Sequence, residues 1–212
     1  MRDAGFITVE GGEGGGKSTQ VRLLAQSFER AGIEVDLSRE PGGAPGAEDI
    51  RNLLVTGATE RWQPMSEVLL HFAARVEHVT HTLKPALVAG RWAISDRFAD
   101  STVAYQGYGH GLDLQFLKQL YHMTLGEFRP DLTLIIDLPV EVGLARAKAR
   151  FDSEDRYERM DVDFHQRLRD GFLSIARSEP NRCRLIDASR SIEDVQRQIL
   201  EHVNSRFGLN LS

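Results

Sequence analysis

Five glycines interrupted by one glutamate, Gly11-Gly12-Glu13-Gly14-Gly15-Gly16, run directly into Lys17, Ser18 and Thr19. The spacing Gly-x-x-x-x-Gly-Lys-Ser suits the binding of a nucleoside triphosphate such as ATP, for a physical reason. Glycines let a loop fold close enough for its backbone N–H groups to converge on a phosphate, and the helix that follows adds the positive end of its dipole. Lys17 is placed to bridge the β- and γ-phosphates, and the Ser18 hydroxyl to ligate Mg²⁺. The flanks agree, since Phe6-Ile7-Thr8-Val9-Glu10 reads as a strand and Ser18 to Leu24 opens a helix. Such a loop does not by itself choose among kinases, GTPases, motors and pumps. A guanine-specifying Asn-Lys-x-Asp is absent, and so is any Asp-x-x-Gly switch element. A chain of 212 residues leaves little room for the accessory parts of a motor or transporter. A compact nucleotide kinase remains.

Further segments carry chemistry unusual for loops. Ser38-Arg39-Glu40-Pro41-Gly42-Gly43 follows the second strand candidate, Ala73-Ala74-Arg75 lies on a helix, and Asp96-Arg97-Phe98 ends the third strand candidate. Tyr105-Gln106-Gly107, Arg129-Pro130-Asp131-Leu132-Thr133 and Asp155-Arg156-Tyr157-Glu158 follow in that order. Together with the glycine loop and its internal Glu13-Gly14, this ordered set resembles the bacterial thymidylate kinase family along nearly the whole chain. The resemblance implies the P-loop NTPase fold, a homodimer, and a Mg²⁺-dependent transfer of the γ-phosphate of ATP to dTMP, giving dTDP. Another nucleoside monophosphate kinase is the nearest rival reading. A non-catalytic ATP-binding regulatory module is a more distant one, for which a second polar pocket would be superfluous.

Carried over by position, Arg39, Glu40 and Pro41 form the loop beside the bound monophosphate, and Arg51 and Arg97 hold its 5′-phosphate. Arg75 faces the thymine edge, with Thr102 and Gln106 reading the base and its surroundings. Arginine forks match phosphate and carbonyl geometry, and a hydroxyl and an amide supply complementary base contacts. Many relatives place a base-stacking phenylalanine four residues before the Arg75 equivalent, where this chain has His71. Phe72 is adjacent, so both are candidates, but a helix turns by about 100° per residue and both cannot face one ring.

Phosphoryl transfer asks a protein mainly to position two substrates in line and to neutralise developing charge. An acceptor phosphate oxygen is already anionic and needs no activated nucleophile. Asp96, at the carboxyl end of a strand, is suited to orient Mg²⁺-bound water or the acceptor, which adds it to Ser18 as a metal candidate. Glu13, inside the glycine loop, points to the acceptor sugar or its hydration. With no arginine in that loop, the transition-state cation is expected from a lid at about residues 146–160. Arg146, Arg150, Arg156 and Arg159 cluster there, and the resemblance favours Arg150 and Arg156.

These residues must be carried by an alternation of strands and helices. Strand patterns cover Phe6 to Glu10, Glu34 to Ser38, Trp92 to Asp96, Leu132 to Leu138 and Cys183 to Asp187. Helical periodicity covers Lys17 to Ala31, Ser66 to Ala89, Leu114 to Leu125, Val140 to Ala149, Asp161 to Ala176 and Ser191 to Phe207. Leu132-Thr133-Leu134-Ile135-Ile136 is apolar on both faces, as a central strand of a parallel sheet should be. The pattern predicts an α/β fold, a five-stranded parallel sheet with helices on both faces. Glu40 to Gly46, Gly107 to Gly111 and Phe151 to Arg159 read as loops. No internal repeat or low-complexity linker divides the chain, so one domain over residues 1–212 is expected.

A net charge of −5 argues against a nucleic-acid surface. The absence of a long apolar run argues against a membrane span, and the amino terminus has no secretory pattern. A single cysteine, Cys183, fits a reducing cytoplasm and reads as a small buried hydrophobe. Only four of the 26 basic residues are lysines, a bias that arginine-rich phosphate recognition would produce, as would genome composition alone.

Overall fold

A computed structural model describes residues 4–149 and 156–212. Five strands, β1 (Phe6–Gly11), β2 (Val35–Arg39), β3 (Trp92–Asp96), β4 (Leu132–Asp137) and β5 (Cys183–Asp187), form one sheet in the order β2-β3-β1-β4-β5. Every pairing is parallel. β1 and β4 are buried along their length, which is why their sequences run apolar rather than alternating. The chain visits β2 and β3 on one side of β1 and then crosses to β4 and β5 on the other. The carboxyl end of β1 therefore lies where the direction of travel reverses, the place where open α/β sheets bind ligands.

Alternation along β1 sorts its side chains between two cores. Ile7 and Val9 join Val21, Leu24, Phe28, Ile94, Leu134, Ile199 and Val203 on the face covered by α1 (Lys17–Arg30) and α9 (Ile192–Phe207). Phe6, Thr8 and Glu10 face the opposite side, where Phe6 packs with Phe98, Val79 and Leu83. Each fully buried Leu, Ile or Phe of these cores contributes roughly 1.5–3 kcal/mol. That second face is covered by α3 (Pro64–His78), α4 (Lys84–Val88), α5 (Ala99–Thr102) and α8 (Val162–Ser178). α6 (Leu114–Leu125) joins α3 through Val68, Phe72 and Leu117. α7 (Val140–Lys148) follows β4.

The predicted helices match to within two residues at most ends, and the differences have local causes. Pro64 opens α3 two residues before the expected start, because a proline at the first helical position loses no hydrogen bond. Asp161 and Ser191 stand outside α8 and α9 as caps, accepting from the N–H groups of Phe164 at 2.6 Å and Asp194 at 3.1 Å. Between α3 and α4 the residues Val79–Leu83 form a π-helical turn rather than uninterrupted α-helix.

Two segments correct the reading of loops. The stretch Glu40 to Gly46 ends inside a helix, because α2 (Pro45–Val55) starts at Pro45. The stretch Gly107 to Gly111 begins inside a π-helix, Val103–Gly109, that continues α5. π-Helical turns concentrate at functional sites, and this one carries Tyr105 and Gln106.

Candidate active site

The glycine loop joins β1 to α1 at the carboxyl edge of the sheet. Gly11, Gly14 and Gly16 have φ values of +134°, +67° and +85°, a region open to glycine at no steric cost. A Cβ on Gly14 would stand 2.0 Å from the carbonyl oxygen of Gly143 in α7. The loop is thus shaped by its neighbours as well as by its own torsions. Lys17 is buried and donates from Nζ to the Gly12 carbonyl at 2.6 Å. Burial lowers its pKa, Arg97 lowers it further, and Glu13 only partly offsets them, leaving it at about 8. Ser18 Oγ donates to Asp96 Oδ2 at 2.7 Å, so a hydroxyl and a carboxylate meet beside the loop. Among the described residues no group of three or more His, Cys, Asp and Glu could hold a metal by itself. The Ser18–Asp96 pair fits Mg²⁺ all the same, since Mg²⁺ keeps several waters and takes substrate phosphate oxygens alongside one or two protein ligands.

Arg97 occupies the junction between the glycine loop and a second cavity. Its backbone has φ +72°, the only positive value at a non-glycine residue among those described. Such backbone costs on the order of 1–3 kcal/mol and persists where surroundings fix it. Here the guanidinium donates to the Gly11 carbonyl at 2.9 Å, to Ser101 Oγ at 3.1 Å and to Glu13 Oε1 at 3.0 Å. Tyr105 also donates its hydroxyl to Glu13 Oε1. Burial pushes the Glu13 carboxyl up, but Arg97 and Lys17 outweigh it and hold it at about 2. Beneath this junction Glu10 accepts from Phe98 N and Ser101 Oγ. Burial and the nearby Asp100 push the Glu10 carboxyl up to about 8.

The second cavity, about 130 Å³, is lined by Glu13, Glu40, Pro41, Arg51, His71, Arg75, Arg97, Ser101, Thr102, Tyr105, Gln106 and Tyr157, among others. A single water needs only ~10–15 Å³, so the space suits a ligand. Arg75 is 2% exposed and lies between the rings of Phe72 and Phe98, at 5.0 and 5.3 Å from their centroids. Its Nε donates to Glu40 Oε2 at 2.7 Å, and one Nη donates to Thr102 Oγ1 at 2.9 Å and to the Phe98 carbonyl at 3.2 Å. The other, Nη1, has no partner among the described residues although it is buried. Gln106 shows the complementary pattern. Its Nε2 donates to Glu67 Oε1 at 2.8 Å, and its buried Oε1 has no partner. One unsatisfied donor and one unsatisfied acceptor therefore belong to two residues that line the same cavity. Buried polar atoms without partners are costly, and a ligand that satisfied both would be held strongly.

Known proteins resemble this chain over nearly its whole length. The family model described as "Thymidylate kinase" matches residues 9–199. A thymidylate kinase of Caulobacter vibrioides is 50% identical over 209 residues, covering 99% of this chain and 100% of that protein. One of Ruegeria pomeroyi is 48% identical, covering 94% of this chain and 96% of the relative. The crystal structure of thymidylate kinase from Ehrlichia chaffeensis superposes with a TM-score of 0.78 at 36% identity, over 94% of this chain and 98% of that one. The chain belongs to the thymidylate kinase family. Its five-stranded parallel sheet is the P-loop NTPase fold.

Against the site expected of a thymidylate kinase, most predicted residues gather in the two adjoining places. Gly11 to Thr19 form the loop and first helical turn. Arg51 lines the second cavity and donates to the Pro41 carbonyl at 2.6 Å. Glu40 lines it too, but as a buried anchor that receives both Arg75 and His78. Arg39 ends β2 with an exposed side chain paired to Glu48 at 3.2 Å, outside the cavity lining. His71 lines the cavity and its Nε2 lies 2.9 Å from the Tyr157 hydroxyl. Burial lowers the His71 pKa to about 4, so the ring is neutral near pH 7. Phe72, one step round the helix, is turned away into the contact with Val68 and Leu117, so the expectation that it contacts the base is corrected.

Arg156 departs furthest from expectation. It is fully buried, and its guanidinium donates to the carbonyls of Ala58 at 3.1 Å, Leu54 at 3.0 Å and Thr59 at 2.9 Å. It also donates to Glu67 Oε2 at 2.5 Å. Three of these contacts cap the end of α2 and the turn after it. A side chain so committed is not presented to a transferring phosphoryl group. Arg150, the other arginine expected of the lid, lies outside the described residues. The residues that sequence reasoning passed over are Glu67, Tyr105, Tyr157 and Glu10. Tyr105 and Tyr157 sit inside quoted motifs, a signal that could have found them. Glu67 looks like any acid in a first helical turn.

Proposed function

We propose that the residues above carry out the thymidylate kinase reaction, transfer of the γ-phosphate of ATP to dTMP, with the glycine loop as donor site and the second cavity as acceptor site. The observation that carries this reading is the pair of unsatisfied atoms, Arg75 Nη1 and Gln106 Oε1, at one cavity. Thymine presents an acceptor at O4 and a donor at N3–H side by side, and the two match. Arg51 and Arg97 line the same cavity as forked cations for the 5′-phosphate. Thr102 fixes the Arg75 fork, Pro41 supplies the loop carbonyl that steadies Arg51, and His71 offers a neutral ring to the base.

Arg97 and Lys17 bring cationic charge to the junction between the two sites, where the acceptor oxygen meets the γ-phosphate. Glu13 and Tyr105 keep Arg97 aimed there. Ser18 and Asp96 would hold Mg²⁺, whose contribution when bound is to neutralise charge on the phosphate oxygens. Arg150 is the lid residue we assign to the transferring group. The chain acts as a homodimer in this reading, and the exposed Met65 and Leu69 on α3 and Leu114 on α6 are apolar side chains a second copy would cover. Its compartment is the cytoplasm, which suits the buried Cys183, whose thiol burial pushes up to about 12.

The test is ADP release with ATP, Mg²⁺ and each nucleoside monophosphate in turn. Turnover with dTMP well above dCMP, dAMP and dGMP is expected. Equal turnover across bases, or none with any, would sink the reading.

A further inference from the structure

Gln106 can read N3–H only if its amide oxygen, not its nitrogen, faces the cavity. The two ends of an amide are nearly the same shape, so nothing in Gln106 itself makes that choice. Glu67 makes it. This residue, 1% exposed, opens towards Gln106 with Oε1 and towards Arg156 with Oε2. Burial opposes ionisation of Glu67, but the Arg156 charge and the hydrogen bonds from Arg156 and Gln106 outweigh burial and keep its carboxyl below the usual range. An ionised carboxylate accepts hydrogen bonds and donates none. Gln106 must therefore turn its nitrogen to Glu67, which leaves Oε1 for the ligand. Arg156 cannot swing away to release the carboxylate, because its other donors are fixed on the backbone of residues 54–59.

We infer that Glu67, oriented by Arg156, is a positioning residue that sets the donor–acceptor polarity of the base pocket through Gln106. The inference rests on the thymidylate reading above and adds to it the device that separates a pyrimidine with N3–H from one whose N3 is an acceptor. The plainer account of Glu67 is a counter-ion for a buried arginine, with no bearing on which base is chosen.

The two accounts part at Glu67→Gln, a change of almost no volume. The Arg156 donor selects the carbonyl end of the introduced amide, so its NH₂ faces Gln106. Gln106 must then accept, and its own NH₂ turns into the cavity. A donor now meets thymine N3–H, while cytosine offers an acceptor at that position. The KM for dTMP should rise on the order of tenfold to a hundredfold, with a smaller change in kcat. Discrimination of dTMP over dCMP should shrink by a similar factor. It should not invert, since Arg75 still opposes the amino group of cytosine. The ratio of dTMP to dUMP should stay the same, because the methyl group is not read by this amide.

Adding Arg156→Met removes the donor that selects the flip, so the introduced amide can rotate and the KM for dTMP should partly recover. A counter-ion role predicts instead that stability recovers in the double variant, since no buried charge is left unpaired, while the KM for dTMP and the discrimination stay alike in parent, single and double variants. If Glu67→Gln keeps its KM and its discrimination while Gln106→Leu raises the dTMP KM, the polarity device is overturned and the pocket reading stands. If Gln106→Leu also changes nothing, both are overturned. Should thermal melts show Glu67→Gln unfolded, Glu67→Met combined with Arg156→Met carries the test, since replacing both members of a buried pair leaves no stranded charge. The methionine at 67 frees the amide to turn, and unchanged discrimination in that variant overturns the device.

Discussion

Arg75 shows how one side chain can be structural and selective together. Its Nε and one Nη bind Glu40, Thr102 and the Phe98 carbonyl, while Nη1 is left without a partner among the described residues. Arg75→Met keeps the stem between Phe72 and Phe98 but strands Glu40 with only His78. Leaving one member of a buried ion pair costs roughly 3–5 kcal/mol, so denaturant melts should show a loss of that size and the KM for dTMP should rise steeply. His71 gives a pH test. Its folded pKa of about 4 lies below the ordinary 6.5, so between those values the unfolded chain binds more protons. Stability must therefore fall as pH drops from about 6.5 to about 4. His71→Phe abolishes that contribution, and its melting temperature should decline less steeply than that of the parent across the same window. A parallel decline in both proteins would show that the His71 ring titrates as freely folded as unfolded.

At the scale of elements, α7 presses on the glycine loop through glycine against glycine. A Cβ on Gly143 would stand 2.5 Å from the Glu13 carbonyl. Glycine to alanine inside a helix ordinarily gains about 1 kcal/mol, yet Gly143→Ala should lose stability and raise the KM for ATP more than that for dTMP. Steady-state kinetics with each substrate varied in turn checks it. The strands were legible because apolar runs of this length have few other uses, and the glycine loop because its spacing is tied to a strand and a helix. What stayed hidden depends on partners distant in sequence. Pro45 and the small residues after it mask the start of α2, and a π-helix leaves no periodicity to read between Val103 and Gly109. Glu67 owes its burial to Gln106 and Arg156, 39 and 89 positions away. Arg156 sits in a charged run that reads as solvated, although its partners are backbone carbonyls that sequence cannot display.

At the scale of the molecule, both sites lie along one edge of one sheet, so a ligand at either one holds several elements together. dTMP touches groups from α2, α3, α5 and the π-helix in the proposed pose. At a concentration of a hundred times its dissociation constant it should stabilise the fold by about 2.7 kcal/mol. For a chain of this size that is a rise in melting temperature of roughly 5–10 °C. Thermal shift assays should show this with dTMP and little or none with dGMP at equal concentration. An equal shift with both would mean that the base does not contribute to the stabilisation.

The contact between Lys17 and the Gly12 carbonyl also has a consequence for calorimetry. With a pKa of about 8, the ammonium is only partly charged at mildly alkaline pH. An arriving polyphosphate favours its charged form, so nucleotide binding at pH 8 should draw a fraction of a proton from the solution. The apparent binding enthalpy should then vary with the ionisation heat of the buffer. It should cease to do so in Lys17→Met, where whatever affinity remains comes without a proton.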